Sequence, residues 1–191
     1  AEKRHLIMMQ QFDAEEKNKL YKFMPKELTE FNKYTNKKIN NPLSLALYID
    51  VKTDLQNNIL ANVDRMTMAN SLEVRSPILD YRIAELSAAI SPELKIKGLT
   101  RKFILKKMAL SYLPKDIIHR KKSGLSTPID RWFRNDLKDM LLDVSKKSPF
   151  LDYKEIEKMA NMHFSMEKNL GLNLYSILNL HLWYKNYEKL E

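Results

Sequence analysis

The sequence predicts a mostly α-helical fold. Three observations carry that reading. Helix-start signals recur ahead of apolar runs; apolar residues return at spacings of three and four; and glycine occurs only three times in 191 residues. So little glycine disfavours phosphate loops, hairpin-rich β architecture and flexible linkers. No strand pattern is as strong as the helical ones, and there is no internal repeat or low-complexity tract.

Asp13-x-x-Glu16 reads as a capping box ahead of Leu20, Tyr21 and Met24. Pro25 restarts a helix carrying Leu28 and Phe31, and Thr35–Asn41 reads as a polar loop. Asn41 then caps a helix with Pro42 at its first position. Its apolar residues (Leu43, Leu45, Leu47, Ile49, Val51) predict that it is well buried. A further helix is expected from about Leu55 to Met68. Pro77 pushes Ser76 out of α geometry and breaks the pattern. Asp80 is placed to cap a helix containing Ile83, Leu86 and Ile90. Thr100 is expected to cap the next, with Ile104, Met108 and Tyr112 facing inward until Pro114 stops it. Thr127-Pro128-Ile129-Asp130 reads as another start, with Thr127 as cap, Pro128 at the first position and Asp130 in the first turn, and with Phe133, Leu137, Met140 and Val144 on one apolar face. Asp152-x-x-Glu155 opens a helix that Gly171 is expected to end, and Asn173–Tyr187 forms the last.

A chain of this length is one domain, or a large piece of one, and is long enough to bury a core. Its 44% hydrophobic and 30% charged content is ordinary for a globular protein. With no cysteine, disulfides, a thiolate nucleophile and a cysteine zinc site are excluded. A reducing, cytoplasmic location is the expectation that fits. No apolar stretch reaches the ~20 residues a membrane helix needs, and no signal peptide is evident. The first residue is Ala1, not methionine, so a piece of a longer protein is expected.

The formal charge of +9 is concentrated. Between Lys95 and Lys122 stand ten basic residues and one acidic residue, Asp116, so the rest of the chain sums to zero. Such a local field attracts phosphate, whether of a nucleotide or of a nucleic acid.

Two segments stand apart from the helical background, Asp64–Asp80 (DRMTMANSLEVRSPILD) and His119–Trp132 (HRKKSGLSTPIDRW). In the first, Glu73 and Arg75 lie two residues apart in an extended stretch, which puts both on one side. They either form structural ion pairs or line a polar cleft; burial alone would not separate these readings, since buried charges need partners in both. Met66 and Met68 read as core fillers. In the second, Arg120, Lys121 and Lys122 run into a turn at Gly124. Such a loop is either a solvated face or a phosphate site. In a partly dry cleft the second role carries weight: attraction between unit charges about 4 Å apart is about 1 kcal/mol in water but about 4 kcal/mol at an effective dielectric of about 20. The four histidines show no metal-ligand spacing, and His163 and His181 read as packed among apolar residues. No HExxH, GxSxG, GxGxxG or Walker loop is present.

With these residues in view, the chain resembles the C-terminal synthetase region of glutamine-hydrolysing asparagine synthetases. The likeness is carried by Asp50-Val51-Lys52-Thr53, Ile59-Leu60, Asp64-Arg65-Met66, Met68-Ala69 and Ser71-Leu72-Glu73-Val74-Arg75-Ser76-Pro77, followed by Leu79-Asp80. It continues through Pro92-Glu93-Leu94-Lys95, Lys102-x-Ile104-Leu105, Leu113-Pro114, Arg120-Lys121-Lys122-Ser123-Gly124 and Pro128-Ile129-Asp130-Arg131-Trp132. It covers residues 45–187 well and residues 12–24 more weakly.

The resemblance implies that the chain is the C-terminal helical portion of an α/β ATP-pyrophosphatase (adenine nucleotide α-hydrolase-like) domain. Residues 1–191 would then be the C-terminal segment of an asparagine synthetase domain, without its nucleotide loop or the glutaminase domain. It implies a carbon–nitrogen ligase of amino-acid biosynthesis: ATP activates the aspartate side chain as β-aspartyl-AMP, and ammonia from glutamine then gives asparagine. ATP with Mg2+ belongs to the complete enzyme and neither is expected on this chain alone. Lys122 falls on the loop lysine that faces the phosphates and is the catalytic candidate. Arg120 and Lys121 join it as phosphate-binding candidates, and Glu73 and Arg75 match a motif beside the cleft. Relatives of this architecture form other amides, including β-lactam rings.

The departures define what is missing. The family's S-G-G-x-D-S and S-G-E-G-x-D-E nucleotide motifs are absent, as is the N-terminal cysteine of the glutaminase half. Gly124-Leu125 replaces the usual Gly-Phe, and Gln56 replaces a frequent proline. The chain alone is therefore expected to be inactive. Its partners would be the nucleotide-binding and glutaminase segments, with no membrane. A helical piece cut from an α/β sheet exposes apolar surface, so self-association as a homo-oligomer or poor solubility is expected. Two competitors stay open. One is a basic helical module binding nucleic acid or protein, disfavoured for nucleic acid because the loop lacks stacking aromatics; the other is an inactive paralogue kept as a scaffold.

Overall fold

The structure, a computed structural model, describes residues 10–23, 33–34, 38–121 and 127–187. In chain order its elements begin with helices α1 (Ala14–Leu20) and α2 (Pro42–Asp50), a π-helix (Val51–Leu60), α3 (Ala61–Met68), a 3-10 turn (Pro77–Leu79), α4 (Tyr81–Ala89) and α5 (Pro92–Lys95). Strands β1 (Ile96–Lys97) and β2 (Thr100–Arg101) follow, then α6 (Phe103–Ala109), α7 (Lys115–His119), α8 (Ile129–Arg134), α9 (Lys138–Lys146), α10 (Tyr153–Phe164) and α11 (Gly171–Tyr187). The predominance of helix is as the sequence predicts. The described residues fall into two compact units, 33–34 with 38–121 and 10–23 with 127–187.

The second unit holds the main core. The capping box forms as read: the Glu16 N–H donates to Asp13 Oδ1 at 2.8 Å, and the Asp13 N–H donates to Glu16 Oε2 at 3.0 Å. After α1 the chain turns extended at Tyr21. Lys22 N–H donates to Phe150 O at 3.0 Å and Asp152 N–H to Leu20 O at 2.8 Å, which tie α1 to the start of α10. α11 buries Leu174, Ile177, Leu178 and His181, a stripe on the helical period. Phe133, Leu141, Leu151 and Ile156 meet it and are no more than 1% exposed. Each such side chain contributes about 1.5–3 kcal/mol by leaving water.

Three expectations for this unit are corrected. The face Phe133, Leu137, Met140 and Val144 does not lie on one helix. The backbone breaks at Asn135, whose side-chain amide donates to Arg131 O at 3.0 Å and competes with the helical ladder. α9 restarts in another phase, so Leu141 is buried and Met140 is 48% exposed. Gly171 does not end α10. That helix stops at Phe164, Met166 takes a left-handed φ of 63°, and Gly171 opens α11. Thr127 makes no side-chain cap; Pro128 occupies the cap position of α8.

In the first unit, Asn41 Oδ1 accepts the N–H groups of Leu43 and Ser44 at 3.0 and 3.1 Å, with Pro42 opening α2 as predicted. α2, the π-helix and α3 run on as one rod. Leu45, Ile49 and Thr53 are buried, but Leu47 and Val51 are 39% and 51% exposed, so α2 is not the well-buried helix expected. The exposed residues belong to a set at strict four-residue spacing: Leu47, Val51, Leu55, Ile59 and Val63. In an α-helix each four-residue step overshoots a full turn by about 40°. The wider π turn falls short instead. With α turns at both ends and π turns between them, the two drifts offset and the five side chains stay nearly on one line.

Thr100 caps no helix. It pairs with Lys97 in the β1–β2 hairpin, closed by Gly98 at φ 57° and by Leu99, a two-residue turn that suits the positive φ of glycine. Lys102, left-handed at φ 57°, occupies the cap position of α6. Ile104, Met108 and Tyr112 are 38%, 56% and 79% exposed rather than inward, as are Ile83 at 43% and Leu86 at 61% in α4. Met66 and Met68 are likewise more than half exposed and fill no core here. The amphipathic pattern is present, but no described element of this unit covers it. The segment from Pro25 to Phe31, residues 35–37 of the expected loop, and Lys122–Ser126 lie outside the described residues.

Candidate functional site

Ser71, in a left-handed turn at φ 56°, ends the rod and starts the extended stretch 72–76. Alternation along that stretch puts Glu73 and Arg75 on one side, as their spacing predicts, and Arg75 Nε donates to Glu73 Oε1 at 2.7 Å. The pair is open to solvent, with side chains 66% and 86% exposed. Its two charges cancel locally.

Beyond the Pro77–Leu79 turn a second pair repeats the arrangement. Arg82 grips Asp80 with Nε to Oδ1 and Nη2 to Oδ2, both at 2.9 Å, and the Arg82 N–H also reaches Oδ1 at 2.9 Å. Asp80 therefore caps α4, as read from the sequence, and serves as an ion-pair partner too. The Arg82 guanidinium, then the Arg82 N–H, hold the Asp80 carboxyl below the usual carboxylate range. Asp64 and Arg65 stand exposed on α3, at the end of the rod leading into this strip.

The basic segment follows. Lys97 Nζ lies 5.0 Å from the Phe103 ring centre. α7 ends at His119, and the extended backbone of Arg120 leads to Lys121. Arg120 and Lys121 are exposed and have no ion pair among the described residues. Lys122 and Gly124 lie outside the described residues. The structure thus joins Glu73 to Arg75 and leaves Arg120 and Lys121 exposed.

One cluster escaped the sequence reading. His163 is fully buried. Its Nδ1 accepts the Leu170 N–H at 3.2 Å, and its Nε2 lies 3.0 Å from Asp130 O, so the proton of this tautomer is on Nε2. Asn169 Nδ2 donates to Asp130 Oδ2 at 2.6 Å, and Arg134 Nε donates to His163 O at 3.2 Å. The cluster fixes the start of α8, which follows the basic segment in sequence. The expectation that His163 and His181 are packed residues holds, at 0% and 6% exposure. The signal for a cluster was the close spacing of Asn169 and Gly171, which needed the fold to join it to Asp130. A shallow open depression beside α10, about 450 Å3 and lined in part by Lys154, Glu157, Lys158 and Asn161, contains none of the predicted site residues.

Comparison with known proteins adds family to this geometry. The family described as Asparagine synthase matches residues 3–185. Asparagine synthetase [glutamine-hydrolyzing] 1 of Bacillus subtilis (strain 168) is 28% identical over 160 residues, 82% of this chain and 25% of that protein. Asparagine synthetase [glutamine-hydrolyzing] 3 of the same organism is 46% identical over 66 residues, 35% of this chain and 11% of that protein. Amidase chyE of Penicillium rubens is 26% identical over 144 residues, 69% of this chain and 21% of that protein. The chain spans about a quarter of the length of the first of these relatives. No solved structure matches. No described helix is long and apolar enough to cross a membrane. The match over residues 3–185, together with the order of the Asp64–Asp80 and Arg120–Trp132 segments, places this chain in the asparagine synthase family.

Proposed function

We propose that this chain is the C-terminal part of an ATP-dependent amidotransferase ligase, incomplete alone, that adenylates aspartate and transfers ammonia to give asparagine. The observation that carries the reading is the family match over nearly the whole chain. The exposed apolar faces of the first unit support it, because an α/β ATP-pyrophosphatase core would cover them. The relative named an amidase makes amide chemistry the shared theme, with asparagine the product that the synthetase relatives favour.

In this reading a carboxylate oxygen of aspartate attacks the α-phosphorus of ATP and pyrophosphate leaves. Ammonia then attacks the acyl carbon and AMP leaves. Lys122 stabilises the charge that builds on the departing pyrophosphate, and Arg120 and Lys121 add to the field that holds the phosphates. Glu73 and Arg75 shape the polar wall as a mutually neutralised pair. Mg2+ would accompany ATP in the complete enzyme; among the described residues of this chain there is no group of three or more His, Cys, Asp or Glu that could hold a metal ion. The nucleotide-binding and glutaminase segments are the partners this reading requires, and a cytoplasmic enzyme is the setting it implies.

The test is aspartate-dependent ATP–pyrophosphate exchange by the enzyme extended to the full length of its relatives. Exchange is expected, and Lys122→Ala lowers its rate by about 100-fold or more, the cost of removing one group that stabilises developing charge. Absence of aspartate-dependent exchange in the extended enzyme refutes the proposal.

A further inference from the structure

Asp130 is held at three separate atoms. Its main-chain O lies 3.0 Å from Nε2 of the buried His163, its Oδ2 accepts Asn169 Nδ2 at 2.6 Å, and its Oδ1 lies against Gly171. Arg134 Nε donates to the carbonyl of the same His163 at 3.2 Å. Asp130 and Arg134 are four residues apart and so share one face of α8. The ring and the carbonyl of a single α10 residue thus hold α8 near both its ends, and Asn169 ties it to the start of α11. Phe133, fully buried, already secures α8 to the core. Apolar contact is non-directional, whereas a hydrogen bond is directional. What the polar contacts add is a fixed rotation and axial position for the first turn of α8.

We propose that Asp130 is a positioning residue for the phosphate-binding segment, its bond to Asn169 fixing the place where that segment enters α8. Lys122 precedes Asp130 by only eight residues, with Pro128 between them. A shift in the first turn of α8 therefore passes along the covalent chain towards Lys122. A cation that meets a phosphate feels such a shift, because misplacement by about 1 Å can cost about 100-fold. Functional side chains keep their geometry when the residues around them are locked by hydrogen bonds of their own, and Asp130 is locked in that way. This role rests on the reading of Arg120, Lys121 and Lys122 as phosphate ligands. Asn169 is exposed, so it can be replaced without opening the core.

The test is binding of inorganic pyrophosphate, measured by titration calorimetry on the enzyme extended to the full length of its relatives. Calorimetry returns stoichiometry and Kd separately: loss of folded protein lowers the first, and a displaced cation weakens the second. Asn169→Ala removes the bond to Asp130 without changing charge, and is expected to weaken Kd by about 10-fold, within the reach of a shift of about 1 Å. Asn169→Asp sets two carboxylates against each other and is expected to weaken it at least as much. Adding Asp130→Asn to Asn169→Asp exchanges donor and acceptor and restores the hydrogen bond, so Kd is expected to return to within about 2-fold of the parent. An enzyme that binds pyrophosphate with this dependence but shows no aspartate-dependent exchange supports the role of Asp130 and refutes the ligase reading. A parent that does not bind pyrophosphate, a Kd unmoved by Asn169→Ala, or a doubly substituted enzyme no better than Asn169→Asp overturns the proposal.

Discussion

The carboxylate of Asp130 occupies the place where a β-carbon on Gly171 would project: an added Cβ would overlap Oδ1 and come within 3.1 Å of the Asp130 Cα. Gly171 lies in α11, so what it supplies is the missing side chain rather than an unusual backbone angle. With the carboxylate seated there, Asn169 can reach it at 2.6 Å while its own Oδ1 accepts the Gly171 N–H at 3.2 Å.

Gly171→Ala is therefore expected to push α8 away from the start of α11 and to destabilise the second unit by about 1–3 kcal/mol. Urea unfolding followed by tryptophan fluorescence measures this, since Trp132 lies in α8 and Trp183 in α11. Adding Asp130→Ala should return part of the loss by vacating the space. Equal stability of Gly171→Ala and the parent would show that the helices separate without cost.

His163→Leu keeps bulk but leaves the Leu170 N–H and the Asp130 carbonyl without their ring partner. Unpaired buried polar groups cost about 1–3 kcal/mol each, so a loss of about 2–6 kcal/mol is expected for the two. Amide hydrogen exchange supplies the local readout: protection of Leu170 should fall more than that of Leu20, whose contacts lie at α1. An unchanged Leu170 exchange rate would remove the ring from its assigned role.

The Asp80–Arg82 pair should be felt as a pH dependence. Ion pairing and the Arg82 N–H lower the folded-state pKa of Asp80. Its contribution is thus fully present above the unfolded carboxylate value of about 3.9 and fades as pH falls through the lower folded value. Asp80→Asn keeps a good helix cap while deleting the charge. Thermal midpoints of parent and variant should differ at neutral pH and converge in acid. A constant difference across that range would mean that the charge is irrelevant to α4. Because the pair is exposed, the difference is expected to be small.

The apolar line on the rod predicts self-association. Val51→Lys and Ile59→Lys, at positions 51% and 47% exposed, should reduce concentration-dependent light scattering while leaving helix content unchanged by circular dichroism. Scattering that persists undiminished would place the sticky surface elsewhere.

Asp13, Asn41, Asp80 and Asp152 could be read as helix starts from the sequence because a cap acts within three residues of itself. That Glu73 and Arg75 share a side was legible for a similar reason, since extended backbone alternates sides at every residue, but that they pair with each other came from the structure. The order and spacing of the motifs were enough for the family resemblance. Burial was not legible. Leu141 rather than Met140 faces the core because Asn135 breaks the helix, and Leu47 and Val51 stay exposed because a periodic face becomes core only when another element covers it. The hairpin at Gly98, the π stretch and the approach of Asp130 to Gly171 were settled in three dimensions. They depend on contacts and turn geometry that local propensity does not encode, and in the last case residues distant in sequence share one site. The sequence by itself determined where helices begin and which family the chain resembles; tertiary packing decided which faces meet and how the helices are phased against one another.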